Sequence, residues 1–383
     1  MSEQNGKTIL IVVGNLRCGG AEVQTVDLAN GLIEKGWNIH LAVLEDSDEL
    51  SYRLNAKIQL AVYQKKGFLD RSVVRELAGL MAATRPNVIL ACESYSCMYA
   101  YYARGKAALK KIPLLCVNHM TYLSRKELFK TLLLYRGIQN RIQQNIFVCH
   151  AQKDYWIHHY GLREAGSAVI YNGLDENFSS DTVAPARLQG LDNDAFLVGI
   201  VAGLKPVKRH VDMAEAIAGL RAQGLNISAV FVGDGECREE IEKKITELGS
   251  EKYVYMAGHQ TDVKPYLSRI NCFALTSDWE ALSISALEAM AMAKPLLLSN
   301  VGGAKELVSE GHNGYLYRAR DIDDLRAKLR TLCESDALEG MGENSRTLFL
   351  QQFTSGPMVE KYHNMLCGFA GVHGTDIEEE YAQ

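Results

Sequence analysis

Residues 272–298 read CFALTSDWEALSISALEAMAMAKPLLL, and this stretch decides the fold of the second half of the chain. A short apolar run, Cys272–Leu275, is followed by a loop, an alanine-rich helical stretch and a second apolar run after Pro295. Two short strands joined through one helix are typical of β-α-β units, in which the strands lie parallel. The stretch therefore predicts a parallel sheet covered by helices.

Two glutamates lie between these apolar runs. Glu280 precedes the predicted helix and Glu288 lies about one turn inside it, so the first free N–H groups of the helix fall between them. These N–H groups and the partial positive charge of a helix start hold anions. A carboxylate nearby accepts hydrogen bonds from hydroxyls around a phosphate. A phosphate flanked by hydroxyls describes a nucleotide sugar.

Both glutamates also have a purely structural interpretation. Ser285 and Glu288 have the spacing of a capping box, in which the glutamate only closes the start of its own helix. Glu280 would then be a solvated loop residue. The functional interpretation is favoured because the carboxylate pair is followed by another strand that ends in a Gly-Gly turn, Gly302-Gly303, and by another helix that begins with a glutamate, Glu306, close behind.

The alternation of strands and helices covers nearly the whole chain, and a polar, non-periodic stretch at residues 175–185 divides it. At 383 residues, two domains are expected. We expect an α/β fold in which residues 1–183 and 184–356 form two facing Rossmann-like, doubly wound sheets with a ligand cleft between them. Residues 357–383 are predicted to be a terminal helix that crosses back to the first domain, followed by an acidic tail. Buried strands are predicted at residues 8–13, 38–43, 87–90, 112–117, 145–149, 168–171, 196–201, 227–232, 253–256, 272–275 and 295–298.

The composition excludes several classes of function. The net charge of −5 argues against nucleic acid as a partner. Nine scattered cysteines without a Cys-x-x-Cys pair argue against a disulfide framework and a zinc site, and the Asp-x-Asp pairs fall in loops or helix caps, so no metal is expected. The chain start does not resemble a signal peptide, and no apolar run approaches the roughly 20 residues of a spanning helix. We expect a cytoplasmic protein, or one held peripherally at the cytoplasmic face of the inner membrane.

Three further motifs follow predicted strands. Gly19 and Gly20 lie in a loop that is either a ligand-binding backbone or a tight turn, and its spacing fits neither the dinucleotide fingerprint nor a Walker loop. Lys205 and Lys208 belong to a basic loop that either holds a diphosphate or is merely solvated. His119 either donates to a sugar hydroxyl or steadies a developing charge, or it bonds within its own loop.

The segment Arg125–Arg141 combines basic and apolar residues on a predicted helix and carries a formal charge of +4, from five basic residues and Glu127. Such helices lie on anionic membranes. A packed helix with a wet basic face is an equal alternative.

Together these residues resemble the retaining glycosyltransferases of family 4, whose two-domain fold is called GT-B. The glutamate pair separated by seven residues is the most specific element, and the likeness covers nearly the whole chain. It is carried by Gly19-Gly20-Ala21-Glu22, His119, Tyr171-Asn172-Gly173-Leu174-Asp175, the Lys208 loop, Glu280 to Glu288, and Gly302-Gly303.

The resemblance implies a role for each candidate residue. Glu280 would contact the transferred sugar, His119 would sit at its reacting face, and Glu288 would hold the donor ribose. The first domain would bind the acceptor. The donor diphosphate would be bound by Lys205, Lys208, Gly19, Gly20 and the N–H groups of Leu282, Ser283 and Ile284.

The implied activity is transfer of a hexose or N-acetylhexosamine, with its anomeric configuration retained and without a metal. The donor would be a nucleoside diphosphate sugar such as a UDP-sugar, and the acceptor a surface polysaccharide, lipopolysaccharide, glycolipid or other lipid-linked glycan. Two positions depart from the family pattern. Lys205 is the nearest cation to a position where the family often has an arginine, and a lysine cannot form the bidentate contact of a guanidinium group. Ala281 occupies a position where the family usually has a glycine. The alternatives are a nucleotide-sugar epimerase of the same fold, a non-catalytic sugar-nucleotide-binding partner and, more distantly, an NAD dehydrogenase.

Overall fold

The computed structural model describes residues 7–17, 19–121, 125–179, 188 and 190–371, with the backbone alone at residues 125 and 126. The chain forms two compact units, Met1–Gly173 with Ser355–Gln383, and Leu174–Thr354. The second unit thus begins ten residues before the predicted boundary at 183/184, which lies outside the described residues. The return to the first unit occurs at 354/355 rather than at 356/357, and the predicted acidic tail is likewise not described.

The described part of unit 1 contains a sheet of seven parallel strands in the order β3-β2-β1-β4-β5-β6-β7. Neighbouring strands are joined by helices on the sheet faces, as parallel pairing requires. The strands are β1 (Thr8–Val13), β2 (Asn38–Val43), β3 (Gln59–Val62), β4 (Val88–Cys92), β5 (Leu114–Asn118), β6 (Gln144–Phe147) and β7 (Ser167–Val169). The helices are α1 (Gly20–Glu34), α2 (Arg71–Thr84), α3 (Glu93–Lys106), α4 (Arg125–Lys130), α5 (Arg136–Gln139) and α6 (His150–Tyr160), with a π-helical turn at Thr131–Tyr135 between α4 and α5.

Strand β1 lies at the centre of the unit 1 core. Ile9 and Ile11 point to one face of the sheet and pack with α1, while Leu10 and Val12 point to the other and pack with α2 and α3. Because successive side chains of a strand alternate between faces, a strand covered on both sides reads as a continuous apolar run. This is why the sequence identifies β1 without ambiguity.

The described part of unit 2 contains six parallel strands in the order β10-β9-β8-β11-β12-β13. The strands are β8 (Phe196–Val201), β9 (Ile227–Val232), β10 (Val254–Gly258), β11 (Cys272–Leu275), β12 (Leu296–Ser299) and β13 (Gly314–Tyr317). The helices are α7 (His210–Ala222), α8 (Arg238–Glu247), α9 (Lys264–Arg269), α10 (Ile284–Ala291), α11 (Ala304–Leu307), α12 (Ile322–Cys333) and α13 (Leu338–Gln352).

The terminal helix α14 (Ser355–Gly371) belongs to the core of unit 1. Leu366 is fully buried there, and Val359 packs so closely against Gly31 of α1 that a Cβ at Gly31 would lie 2.5 Å from it. The absence of a side chain at Gly31 therefore allows the two helices to approach. Among the described helices, none combines the length and the apolarity needed to cross a bilayer.

The predicted fold class is confirmed, since both units contain a doubly wound parallel sheet. Two strands were missed, β3 and β13, and both lie at sheet edges, where less of the strand is buried. In each sheet the strand order reverses once, between β1 and β4 and between β8 and β11. Ligands of such sheets bind beyond the carboxyl ends of the strands at that reversal.

Candidate functional site

The loops that follow β8 and β11 are hydrogen-bonded to each other at the strand reversal of unit 2. The N–H of Asp278 donates to the carbonyl of Val207 at 2.8 Å. The Thr276 hydroxyl donates to the carbonyl of Lys208 at 2.7 Å. The loop that carries Lys208 is therefore fixed to the loop that carries Glu280.

Lys208 and Glu280 form an ion pair at the centre of this arrangement. The Lys208 Nζ lies 2.5 Å from Glu280 Oε1, and the Ser277 hydroxyl donates to the same oxygen at 2.6 Å. Only 22% of the Lys208 side chain and 16% of the Glu280 side chain are exposed. Glu280 is therefore not a solvated loop residue, and its structural alternative is wrong.

Gly302 packs against the backbone carbonyl of Glu280. Its φ is +50°, and a Cβ on it would lie 1.8 Å from the carbonyl oxygen of Glu280, so only glycine fits. The N–H of the next residue, Gly303, donates to the Ala281 carbonyl at 2.9 Å. The Gly302-Gly303 turn after β12 thus sets the backbone position of Glu280.

The N-terminus of α10 follows directly. Ser283 is the N-cap, and its hydroxyl accepts a hydrogen bond from the N–H of Ala286 at 3.3 Å. The N–H groups of Leu282, Ser283 and Ile284 have no acceptor among the described residues. Three unpaired donors at a helix start two to four residues from Glu280 form a local anion site.

Glu288 is the fifth residue of α10 rather than the third, because the N-cap of the helix is Ser283 and not Ser285. The capping-box interpretation with Ser285 is therefore wrong. Burial, and then the charge of Asp262, raise the pKa of Glu288 to about 7. No described residue donates a hydrogen bond to this carboxylate, so its oxygens remain available to a ligand with hydroxyl groups.

Lys205 does not join the Lys208–Glu280 pair and is solvent-exposed, but its aliphatic chain runs back past Gly203, where a Cβ would lie 3.8 Å from Lys205 Cε. A charge network beside the pair was not predicted from the sequence. In it, Arg209 donates to both oxygens of Asp212 at 2.7 and 2.8 Å.

Arg320 likewise donates to both oxygens of Asp278, at 2.7 and 2.9 Å. Arg209 Nε lies 3.8 Å from the same carboxylate, so Asp278 is held from two sides. Arg320 comes from the segment after β13, far away in sequence, and no local motif connects it to Asp278. The network restrains the loop two residues before Glu280.

The reversal point of unit 1 brings together Gly19, Gly20, Glu22, Glu93 and His119. Gly19 is the N-cap of α1, which begins at Gly20, and a Cβ on Gly19 would lie 2.3 Å from a carboxylate oxygen of Glu22. The glycine therefore leaves room for that carboxylate. Burial raises the pKa of Glu22.

His119 follows β5, and its backbone N–H donates to Glu93 Oε1 at 2.9 Å. Its Nδ1 is buried without a described hydrogen-bond partner, so the alternative of a ring bonded within its own loop is not supported at this atom. Burial lowers the pKa of His119 to about 4. The imidazole is therefore neutral at physiological pH and acts as a hydrogen-bonding group rather than as a cation.

Glu93 was missed by the sequence analysis. It directly follows β4 and has a φ of +72°, a backbone conformation that is costly for any residue with a side chain. Burial, and then the charge of Glu22, raise its pKa to about 7, although the hydrogen bond from His119 acts in the opposite direction. A carboxylate placed immediately after a buried strand was the available signal.

Among the residues that the structure describes, no group of three or more His, Cys, Asp or Glu side chains is arranged to hold a metal ion.

Two family models match consecutive parts of the chain. "Glycosyltransferase Family 4" matches residues 18–178, and "Glycosyl transferases group 1" matches residues 187–348. Together they span most of the sequence and follow the division into two units.

Curated relatives agree with this result, and solved structures are similar in fold. The chain is 29% identical, over 52% of its length, to UDP-Gal:alpha-D-GlcNAc-diphosphoundecaprenol alpha-1,3-galactosyltransferase of Escherichia coli, of which the alignment covers 53%. It is 25% identical, over 91% of its length, to N-acetyl-alpha-D-glucosaminyl L-malate synthase of Bacillus anthracis, of which it covers 93%. The structure of Anabaena HepE in complex with UDP is similar in fold, with a TM-score of 0.78 and 21% identity over 94% of this chain and 100% of that one.

The contact between Gly302 and Glu280 gives a first prediction. Gly302→Ala adds a methyl group that cannot fit against the Glu280 carbonyl, so hydrogen exchange at residues 276–283 should become faster and unit 2 should lose about 2–4 kcal/mol of stability. Gly249→Ala is the matched control, because Gly249 has a φ of +60° but nothing within 4 Å of a Cβ. Equal effects of the two substitutions would show that the contact does not position the loop.

Proposed function

Because the chain belongs to glycosyltransferase family 4, we propose that it transfers a sugar from a UDP-sugar to a glycan or lipid-linked glycan acceptor, with retention of the anomeric configuration. The family membership and the glycosyltransferase class expected from the sequence are confirmed by the comparisons. The donor, the acceptor and the stereochemistry are part of the proposal. They are supported by the local chemistry and by the activities of the relatives.

The observation that carries the proposal is the anion site beside the Lys208–Glu280 pair in unit 2. Lys208 and the N–H groups of Leu282, Ser283 and Ile284 bind the donor diphosphate. Lys205 extends from the same loop and adds a second positive charge. As charge builds on the departing phosphate, these donors stabilise it without reorganisation, because the hydrogen-bonded loops already hold them in place.

The two glutamates bind different hydroxyl groups of the donor. Glu288 accepts hydrogen bonds from the ribose, for which its unpartnered carboxylate is suited. Glu280 contacts the transferred sugar, and its orientation is set by Lys208 and Ser277. His119, Gly19 and Gly20 lie in unit 1, and their contacts with the donor, which the resemblance implies, stay predictions.

Retention follows if the acceptor oxygen attacks the anomeric carbon from the face on which UDP departs. The new carbon–oxygen bond forms as the carbon–phosphate-oxygen bond breaks, and the departing phosphate takes the acceptor's proton. Charge on that phosphate is met by Lys208 and the helix N–H groups, so no metal is required for this step. The reaction should therefore proceed in EDTA.

The acceptor class is supported by the relatives. One acts on a sugar linked to diphosphoundecaprenol, another on poly(ribitol-phosphate), and others serve capsule and lipopolysaccharide core biosynthesis. A glycan or lipid-linked glycan is common to most of them. An epimerase of the same fold is less well supported, because the matching relatives are named as transferases or synthases.

The Lys208–Glu280 pair provides the test of the donor site. Lys208→Ala should weaken UDP binding about 10- to 100-fold, because it removes a charge-assisted contact to phosphate. Glu280→Gln should leave UDP binding unchanged or tighter, since the lysine loses its internal partner, but should strongly reduce sugar transfer. Calorimetry with UDP, and release of UDP from UDP-glucose, UDP-galactose and UDP-N-acetylglucosamine in EDTA, measure the two effects.

Lys243→Ala is the matched control for the loss of charge, because Lys243 lies on α8 with 79% of its side chain exposed. Unchanged UDP binding in Lys208→Ala would remove the proposed diphosphate site. Isomerised nucleotide sugar in the absence of acceptor would identify an epimerase instead.

Glu288 gives a prediction about pH. Since the ionised carboxylate is the better acceptor for ribose hydroxyls and burial raises its pKa to about 7, UDP affinity should rise by about tenfold between pH 6 and pH 8. In Glu288→Gln the rise should be reduced to that caused by ionisation of UDP itself. Asp262→Asn should move the midpoint of the wild-type rise to lower pH, because the charge of Asp262 helps to raise this pKa. Identical profiles for wild type and Glu288→Gln would contradict the ribose assignment.

The segment Arg125–Arg141 supports a second proposal, binding to an anionic membrane surface. Phe129 and Leu133 are 66% and 69% exposed and lie one helical turn apart, near the exposed Lys130 and Arg136. The protein should therefore float with vesicles that contain phosphatidylglycerol but not with neutral ones, and high salt should release it. Phe129→Glu with Leu133→Glu should abolish flotation, and Tyr52→Glu, at another exposed aromatic residue, should not. Flotation that is insensitive to these changes would refute the proposal.

A further inference from the structure

The face of the segment Arg125–Arg141 that packs into unit 1 carries a buried amide. Tyr135 and Ile138 are 6% and 5% exposed and belong to the hydrophobic core that α3 also enters. Gln139, the last residue of α5, lies on the same face and is 1% exposed. A buried amide costs free energy unless its donors and acceptors are paired, so the partners of Gln139 show what it holds in place.

Gln139 joins the residues that flank Glu93 and His119. Its Nε2 donates to Asn118 Oδ1 at 2.8 Å, and its Oε1 accepts from the Ser94 hydroxyl at 3.5 Å. Asn118 immediately precedes His119, and Ser94 immediately follows Glu93. The amide therefore bridges the carboxyl ends of β5 and β4, just past the point where the pairing of the two strands ends.

The bridge belongs to a set of buried polar contacts. Asn145 Nδ2 donates to the backbone carbonyl of Gln139 at 3.0 Å, and Asn118, Asn145 and Ser94 are 0%, 4% and 8% exposed. Replacing two bonded polar groups by apolar groups of the same shape can be neutral or even stabilising, so stability alone does not require these side chains. What directional bonds supply in addition is a fixed geometry.

The loop that carries His119 is held on both sides. On one side, Trp156 Nε1 of α6 donates to the carbonyl of Met120 at 3.0 Å. On the other side, Gln139 holds the side chain of Asn118. Because His119 lies between these two contacts, its backbone cannot shift unless one of them breaks.

We propose that Gln139 is a positioning residue for sugar transfer, which sets the place of His119 by tying Asn118 to Ser94. The inference rests on the proposed function and on the predicted role of His119 at the transferred sugar. It gives the segment Arg125–Arg141 a role inside unit 1, distinct from the membrane contact proposed for its exposed residues. Misplacing a reacting group by about 1 Å can cost about 100-fold in rate.

The test compares single and double substitutions. Gln139→Met keeps a side chain of similar length but leaves Asn118 Oδ1 without its amide donor, so it should lower the melting temperature and reduce kcat about 10- to 100-fold. Asn118→Leu should reduce kcat by the same factor, because it breaks the same contact. In the double variant no orphaned group is left, so the melting temperature should recover while kcat stays as low as in either single variant. A merely structural role predicts that both recover.

The values of kcat are measured from UDP release with UDP-glucose, UDP-galactose and UDP-N-acetylglucosamine, at a temperature at which every variant is folded. UDP binding, measured by calorimetry, should be unchanged in all of them, because the donor site is proposed for unit 2. Hydrogen exchange at residues 118–121 is a readout that needs no turnover. It should become faster in Gln139→Met and in the double variant.

Gln143→Met is the matched control. The Gln143 side-chain oxygen accepts from the Leu114 N–H at 2.9 Å, so this glutamine holds the amino end of β5, the strand whose carboxyl end leads to His119. The substitution should lower the melting temperature but leave kcat and the exchange at residues 118–121 unchanged.

A wild type that binds UDP but releases none from any of the three UDP-sugars would contradict the proposed function, and the exchange measurement would still decide whether Gln139 holds the His119 loop. The inference is overturned if Gln139→Met keeps the wild-type kcat, if kcat recovers together with the melting temperature in the double variant, or if exchange at residues 118–121 does not change. An equal loss of kcat in Gln143→Met would overturn it as well.

Discussion

The contact of Gly302 with the carbonyl of Glu280 is the constraint on which the geometry of the Lys208–Glu280 site depends. No side chain fits between them, so the turn after β12 determines where the loop after β11 runs. That loop is held again by Ser299, whose hydroxyl donates to the Ser277 carbonyl at 2.7 Å, and by the bond from Asp278 N–H to Val207. Three strand ends are thereby joined, and the charged pair at their centre is oriented before any ligand arrives. Preorganisation of this kind lets dipoles and charges stabilise a departing phosphate without rearranging.

Similar carboxylates acquire different roles from their surroundings. Glu280 is held by a lysine and a serine, so its orientation is fixed. Glu288 and Glu93 lack a cationic partner among the described residues, and burial raises the pKa of each to about 7. Burial without a counter-charge costs free energy in the empty protein, and ligand hydroxyls offset that cost by donating hydrogen bonds. The surroundings of a glutamate, rather than its residue type, therefore determine whether its carboxylate is held in an ion pair or keeps acceptor capacity for a hydroxyl group.

The sequence predicts the parts of this structure that depend on local pattern. Central strands such as β1 and β8 are buried on both faces and read as continuous apolar runs, whereas the edge strands β3 and β13 do not and were missed. Lys208, Glu280 and Glu288 were predicted as site residues because they lie next to strand ends and a helix start. The bonds of Arg320 to Asp278 and of His119 to Glu93 join residues 42 and 26 positions apart, and no spacing rule encodes them. The backbone strain at Glu93 cannot be predicted from the sequence either, because a φ of +72° at a glutamate is imposed by tertiary structure.

The two reversal points have the same topology but carry different side chains at their strand ends. In unit 2 the strand ends carry Lys205, Lys208 and unpaired helix N–H groups, which suit a diphosphate. In unit 1 the corresponding edge carries the aromatic rings of Phe68 and Tyr95 together with carboxylates and the ammonium groups of Lys65 and Lys130. One fold used twice in a chain can therefore present different recognition chemistry through the side chains at its strand ends alone.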